Sequence, residues 1–119
     1  MRGIRGATTA ETNESSAILT AAEEVLRDMA EKNNIKAEDV VHIWFTVTTD
    51  LTAAFPAKAT RSLEGWSYVP VMCATEIPVP NSLPRCIRVM MTVNDDRPQE
   101  DICHVYHKDA VQLRPDLIN

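Results

Sequence analysis

From Cys86 to Val93 the sequence alternates without a break, with Ile87, Val89, Met91 and Val93 on one face and Cys86, Arg88, Met90 and Thr92 on the other. A period of two sustained over that length specifies a β-strand whose first set of side chains turns toward a core. The same period leaves Arg88 in mid-strand among apolar neighbours. A guanidinium in that position needs an anionic partner, because an unpaired buried charge costs several kcal/mol or more. The sheet therefore has a second face that is not a plain hydrophobic floor.

Around this strand the other elements can be placed. Arg2 to Thr9 reads as a short strand punctuated by glycines. Between Asn13 and Lys32, Ile18, Ala22, Val25, Leu26 and Met29 follow the spacing of one helical face. Asn13 or Thr12 is the expected cap, Glu14 suits the positive end of the dipole, and Asn33-Asn34 supplies a left-handed exit. Glu23, Glu24, Arg27, Asp28, Glu31 and Lys32 form its solvated side. Val40 to Val47, containing Trp44 and Phe45, is a continuous apolar run expected of a strand covered on both faces, with His42 a core or edge histidine.

Pro56 opens a second helix running to Leu63 and closed by Glu64-Gly65, which puts Lys58 and Arg61 on one side. Val69 to Thr75 is a further strand that delivers Glu76 at its end, and Pro78, Pro80 and Pro84 mark an extended loop. Asp95-Asp96-Arg97-Pro98 turns into a short helix, and Ala110 to Leu113 reads as a last strand. The expected fold is one domain over residues 1–119 of α+β (α/β-like) class, a mixed sheet of about five strands with two main helices on one face. A sheet backed on one side only leaves a face and its edges uncovered, so association is expected.

Composition then removes whole classes of function. With 119 residues and a net charge of -5, the chain has neither the room for two domains nor the basic surface of a nucleic-acid binder. Its glycines, Gly3, Gly6 and Gly65, cannot spell a dinucleotide or P-loop motif. Cys73, Cys86 and Cys103 form no C-x-x-C pair, and His42, His104 and His107 fall in no zinc spacing, which argues against a metal site and a disulfide scaffold. The opening lacks the apolar stretch of a secretory signal, and no uncharged apolar run approaches the roughly 20 residues of a membrane span. The expectation is a cytoplasmic, reduced protein.

The acidic balance makes the placement of cations the informative feature. Arg5 lies in the first strand, Arg88 in the best strand and Arg114 at the end of the last, while Glu76 alone cannot neutralise all three. With Lys58 and Arg61 nearby, the surplus describes a pocket for a small dianion, guanidinium forks matching carboxylates. The competing reading is that these arginines pair with surface acids. No serine or cysteine is linked by motif to a histidine, so an enzyme on this chain would work by electrostatics and positioning.

Four segments in order carry a resemblance over nearly the whole chain. These are Arg2-Gly3-Ile4-Arg5-Gly6-Ala7-Thr8-Thr9, then Asp50-Leu51 with Phe55-Pro56-Ala57-Lys58-Ala59 and Arg61, then Cys86-Ile87-Arg88-Val89-Met90-Met91, and finally His104-Val105-Tyr106 with Leu113-Arg114-Pro115-Asp116-Leu117. Together they resemble the monofunctional, trimeric chorismate mutases of the AroH type. The resemblance implies a homotrimer built as a pseudo-α/β barrel, with active sites in clefts between subunits. It further implies conversion of chorismate to prephenate without a cofactor, in tyrosine and phenylalanine biosynthesis.

On this resemblance Arg88 donates to the substrate ether oxygen, and Arg5 holds the enolpyruvyl carboxylate with Tyr106. Glu76 and the Cys73 position take the ring hydroxyl, and Phe55 and Leu113 supply apolar walls. Lys58, Arg61 and Arg114 line the mouth, and the tail from about residue 115 is expected to order over the ligand. The sequence departs from the family pattern at Met72, beside Cys73, where a smaller polar residue is expected. The alternative from a different class is a non-catalytic trimeric module that binds a small anionic metabolite with the same cations.

Overall fold

The alternating segment takes the middle of the sheet. The computed structural model describes residues 1–113 and contains β1 (Arg2–Thr9), β2 (Val40–Val47), β3 (Val71–Thr75), β4 (Cys86–Val93) and β5 (Val105–Tyr106). Their order is β3-β2-β4-β1-β5. β4 runs antiparallel to both neighbours, while β2 with β3 and β1 with β5 are parallel. One long helix, α1 (Ser15–Lys32), lies across one face. Its Ile18, Ala22, Val25, Leu26 and Met29 are fully buried and meet Ile4, Ile43, Phe45, Ile87 and Met91 from the strands in one core. Burying a side chain of this size stabilises by about 1.5–3 kcal/mol, so the stripe on α1 accounts for its position.

Several sequence expectations are corrected by the structure. Neither Asn13 nor Thr12 caps α1. Glu14 occupies the cap position without a side-chain bond, and the Asn13 carboxamide instead accepts the Thr52 and Ala53 amides at 2.9 and 3.0 Å. The carboxamide of Asn13 thereby ties the helix start to the loop that follows β2. At the other end the expected exit is present, with Asn34 at φ 53.

The second helix is a 3-10 helix over Pro56–Ser62. The Ser62 hydroxyl donates to the Ala59 carbonyl at 2.6 Å, a local bond of the kind that competes with α-helical pairing. Leu63 is extended, and Gly65 turns the chain at φ +86, a conformation that favours glycine. The strand expected from Val69 begins at Val71. β2 is covered on one face only: Trp44 is 40% exposed, whereas Phe45 is buried. His42 faces the open side and shares a 3.1 Å hydrogen bond with the Thr92 hydroxyl.

The last strand is Val105–Tyr106 rather than Ala110–Leu113, which belongs to a 3-10 turn and its end. Two pairings join β5 to β1, Gly6 with Val105 and Ala7 with Tyr106, and the His107 amide donates to Ala7 at 2.8 Å. Lys108 then adopts φ 53 and turns the chain off the sheet. Arg114 and the tail from residue 115 lie outside the described residues.

Two polar clamps hold the C-terminal third against α1. Asn33 is 1% exposed; its amide group donates to the Met29 and Cys103 carbonyls, and its oxygen accepts the Cys103 amide, all at 2.8 Å. Farther along, Asp28 accepts from His107 Nε2 at 2.8 Å and lies 3.2 Å from the Lys32 ammonium. Burial raises the Asp28 pKa, but the hydrogen bonds from His107 and Lys32 and their charge outweigh it and hold the carboxyl below its ordinary value.

Gly6 fits where nothing larger does, since a Cβ there would run into the buried thioether of Met29. Gly6→Ala is therefore expected to lower stability by about 1–3 kcal/mol, read as a lower urea midpoint at unchanged slope. An unchanged midpoint would show that Met29 can give way. Asp28→Asn is expected to cost about 0.5–1.5 kcal/mol at pH 7. A depressed carboxyl pKa contributes stability above the unfolded value and loses it as pH falls through the folded one. The gap between the two proteins should accordingly narrow as falling pH protonates the Asp28 carboxyl, and a gap that stays constant through the acid range would contradict the role given to the charge.

Candidate active site

On the face of the sheet turned away from α1, side chains line up in rows set by strand register. Arg5 pairs with Met90, Met90 with Trp44 and Trp44 with Met72. In the next row Ala7 pairs with Arg88 and Arg88 with Thr46. Arg5 and Arg88 are thus diagonal neighbours on adjacent strands, placed there by the alternation of β1 and β4. Both line one cavity of about 320 Å³, shared with Trp44, Thr46, Tyr106 and Leu113.

Arg88 is held by a carboxylate. The Glu76 amide bonds to Val47, which prolongs the β2–β3 ladder by one residue, and the side chain turns back across β2 toward β4. Arg88 Nη2 donates to Glu76 Oε1 at 2.7 Å, Arg88 Nε donates to Oε2, and the Thr46 hydroxyl also donates to Oε2 at 2.5 Å. The Arg88 bond, followed by the Thr46 bond and opposed by burial, holds the Glu76 pKa below its ordinary value. The same bond from Glu76 raises the Arg88 pKa. At neutral pH the pair is a fixed anion and cation, with Arg88 still more than half exposed at the cavity wall.

Arg5 is placed differently. Its backbone amide donates to His104 Nδ1 at 2.9 Å, and the half-buried residue borders both this cavity and a further depression containing Arg2 and Met90. Among the described residues no carboxylate lies within ion-pair distance of Arg5, Lys58 or Arg61. For those three cations the described acids of this chain do not supply the pairing that the competing reading requires.

The remaining expected site residues gather elsewhere. Phe55, Lys58, Arg61, Met72 and Cys73 line a second cavity of about 390 Å³ between β3 and the 3-10 helix. That helix repeats every three residues, which stacks Lys58 and Arg61 on one side. Cys73 is half-buried, and burial pushes its thiol pKa up against the smaller effect of the Ala57 amide, so it is a protonated thiol at neutral pH. Burial likewise pushes Cys86 up to about 11. Of the expected residues, Arg5, Arg88, Tyr106 and Leu113 therefore meet at one cavity and five others meet at the second, with Glu76 bonded to the first group. Arg114 lies outside the described residues.

Thr46 and Trp44 are site-lining residues that the sequence analysis did not single out. The signal was present as the alternation His42, Trp44, Thr46 along β2, but it becomes legible only once Thr46 is known to face Arg88. Among the described residues there is no cluster of three or more metal-binding side chains, and no helix is long and apolar enough to cross a membrane.

Comparison with known proteins places this geometry. The chain is 52% identical over 117 residues to the chorismate mutase AroH of Bacillus subtilis (strain 168), covering 98% of this chain and 92% of that one. It is 51% identical over 118 residues to the chorismate mutase AroH of Thermus thermophilus, covering 98% and 96%. The solved structure of a chorismate mutase from Clostridium thermocellum superposes with a TM-score of 0.89 at 49% identity, over 92% of this chain and 97% of that one. The family model for chorismate mutase type I matches residues 1–117, and the chain belongs to that family.

Proposed function

We propose that this chorismate mutase acts as a homotrimer in the cytoplasm and rearranges chorismate to prephenate by electrostatic stabilisation alone. The enzyme is an isomerase of aromatic amino-acid biosynthesis. One observation carries the mechanism: Arg88 is fixed by Glu76, beside an Arg5 that has no carboxylate of its own among the described residues, on the wall of one cavity. A dianionic substrate supplies the missing negative charge.

In the reaction one C–O bond breaks and one C–C bond forms within a single molecule, so no proton, electron or covalent adduct has to be exchanged with the protein. Negative charge grows on the ether oxygen as the C–O bond lengthens. Arg88, whose Nε and one Nη are engaged by Glu76, offers its other Nη to that oxygen. A donor already aimed at the transition state outperforms water, which must reorient as the charge develops. Arg5 and Tyr106 take the enolpyruvyl carboxylate, while Glu76 and the Cys73 position take the ring hydroxyl. Phe55 and Leu113 wall the ring, and Met72 borders it through the second cavity. Lys58, Arg61 and Arg114 draw the dianion to the mouth.

The trimer follows from the same surface. Trp44, Met72 and Met90 form an exposed apolar row on a sheet face that none of the described elements covers. Packing that face against a neighbour brings the cavity of Arg5 and Arg88 up to the Lys58 and Arg61 cavity of the next subunit. Each active site is then completed between two chains. No cofactor, nucleic acid or membrane enters the scheme.

The direct test is the spectrophotometric loss of chorismate with prephenate identified as product, on protein shown by sedimentation to contain three chains. Intact chorismate with a well-folded trimer would instead make this a binding module for a small anion. Arg88→Ala is expected to lower kcat by about 100–1,000-fold, whereas Lys58→Ala raises KM and leaves kcat near wild type. Comparable kcat for Arg88→Ala and wild type would remove Arg88 from its role. Because no titrating base takes part, kcat should stay level between about pH 6 and 9, and a bell centred near neutrality would contradict the scheme.

A further inference from the structure

We infer that the hydroxyl of Thr46 is a positioning group for catalysis, holding Glu76 in the orientation from which it presents the Arg88 guanidinium to the substrate. The inference deepens the reading above and rests on it. Glu76 is the first residue beyond β3, and its side chain spans β2 to reach Arg88 on β4. Thr46 stands on the intervening strand, level with Arg88 and, on its other side, with Ala74. The hydroxyl is therefore the polar group beneath the carboxylate as it crosses.

The donor pattern on the carboxylate is unequal. Oε1 receives Arg88 Nη2, while Oε2 receives both Arg88 Nε and the Thr46 hydroxyl. An Arg fork alone fixes the plane of the carboxylate relative to the guanidinium but lets the two groups swing together over the sheet. The third bond, from a side chain whose χ1 is restricted by β-branching, ties the pair to the backbone of β2. Without it the guanidinium keeps its partner and loses its fixed direction. A misdirected donor costs rate rather than substrate affinity, since its strongest interaction forms only in the transition state.

Thr46→Val keeps the branched shape and removes the hydroxyl, and Thr46→Ser keeps the hydroxyl and removes the methyl. The valine variant is expected to lose about tenfold or more in kcat with KM within about twofold, and the serine variant to recover most of kcat. A second readout is independent of turnover, namely the 13C titration of the Glu76 carboxyl. The groups acting on it are the Arg88 guanidinium, the Thr46 hydroxyl and the Ile77 amide, while the nearby Cys86 thiol and Tyr106 phenol are uncharged where a carboxyl titrates. Removing a donor to the ionised form moves the midpoint upward, so Thr46→Val should titrate at higher pH and Thr46→Ser near wild type.

Wild-type kcat together with an unmoved Glu76 midpoint in folded Thr46→Val overturns the inference. So does a serine variant that stays as slow as the valine one, because packing of the methyl would then be the cause. Should Thr46→Val fail to fold, the serine variant and Thr46→Ala carry the same comparison. Failure of the functional reading is separable: wild type would then leave chorismate intact, whatever the Glu76 titration shows.

Discussion

A charge fixed in the middle of a β-strand governs this molecule. Arg88 stands on β4 more than half exposed, with Ala7 and Thr46 beside it in its row and Met90 and Trp44 in the next, and Glu76 fixes the direction of its guanidinium. Glu76 in turn reaches it because β3 runs parallel to β2 and stops one residue before the carboxylate is needed. The strand order therefore has a chemical consequence: an acid from one edge of the sheet meets a base near its centre, over a hydroxyl that lies between them. A half-exposed ion pair of this kind adds little to stability; what it does is hold the guanidinium in one direction over the sheet.

The two faces of the sheet show how one chain divides its work. The face under α1 is filled by aliphatic side chains and Phe45 and secures the fold. The other face carries Trp44, Met72 and Met90 in a row and Arg5 and Arg88 beside them. An exposed apolar row is costly for a lone subunit, and association that covered it would remove that cost. The split of the site residues between two cavities has the same origin, since the residues around β3 belong to the opposite edge of the sheet from Tyr106 on β5.

Much of this was readable in the sequence because period and punctuation are local. The bounds of β4 follow from alternation, those of β2 from an apolar run and those of β1 from its glycine punctuation, and the face of α1 follows from its spacing. What could not be read depends on partners distant along the chain. Asn13 has the chemistry of a cap, but its carboxamide serves Thr52 and Ala53 instead. Pro56 announces a helix without saying whether its repeat is three or 3.6, and the Ser62 hydroxyl helps decide it. Ala110 to Leu113 has strand-like residues, yet Lys108 has already turned the chain away from β1. The candidate cations were legible as misplaced charges, and the resemblance supplied their roles. Thr46 stayed hidden because only the register of β2 against β4 sets it beside Arg88.

The brevity of β5 has its own consequence. Tyr106 is held to the rest of the sheet by two residue pairings and the single amide that follows, at an edge with no further strand beyond it among the described residues. Such a segment belongs to the part of a protein that opens by local fluctuation at a fraction of the cost of global unfolding. Its amides should exchange with solvent before those of β4, with the Asn33–Cys103 and His107–Asp28 bonds on either side setting how far the opening spreads along the chain.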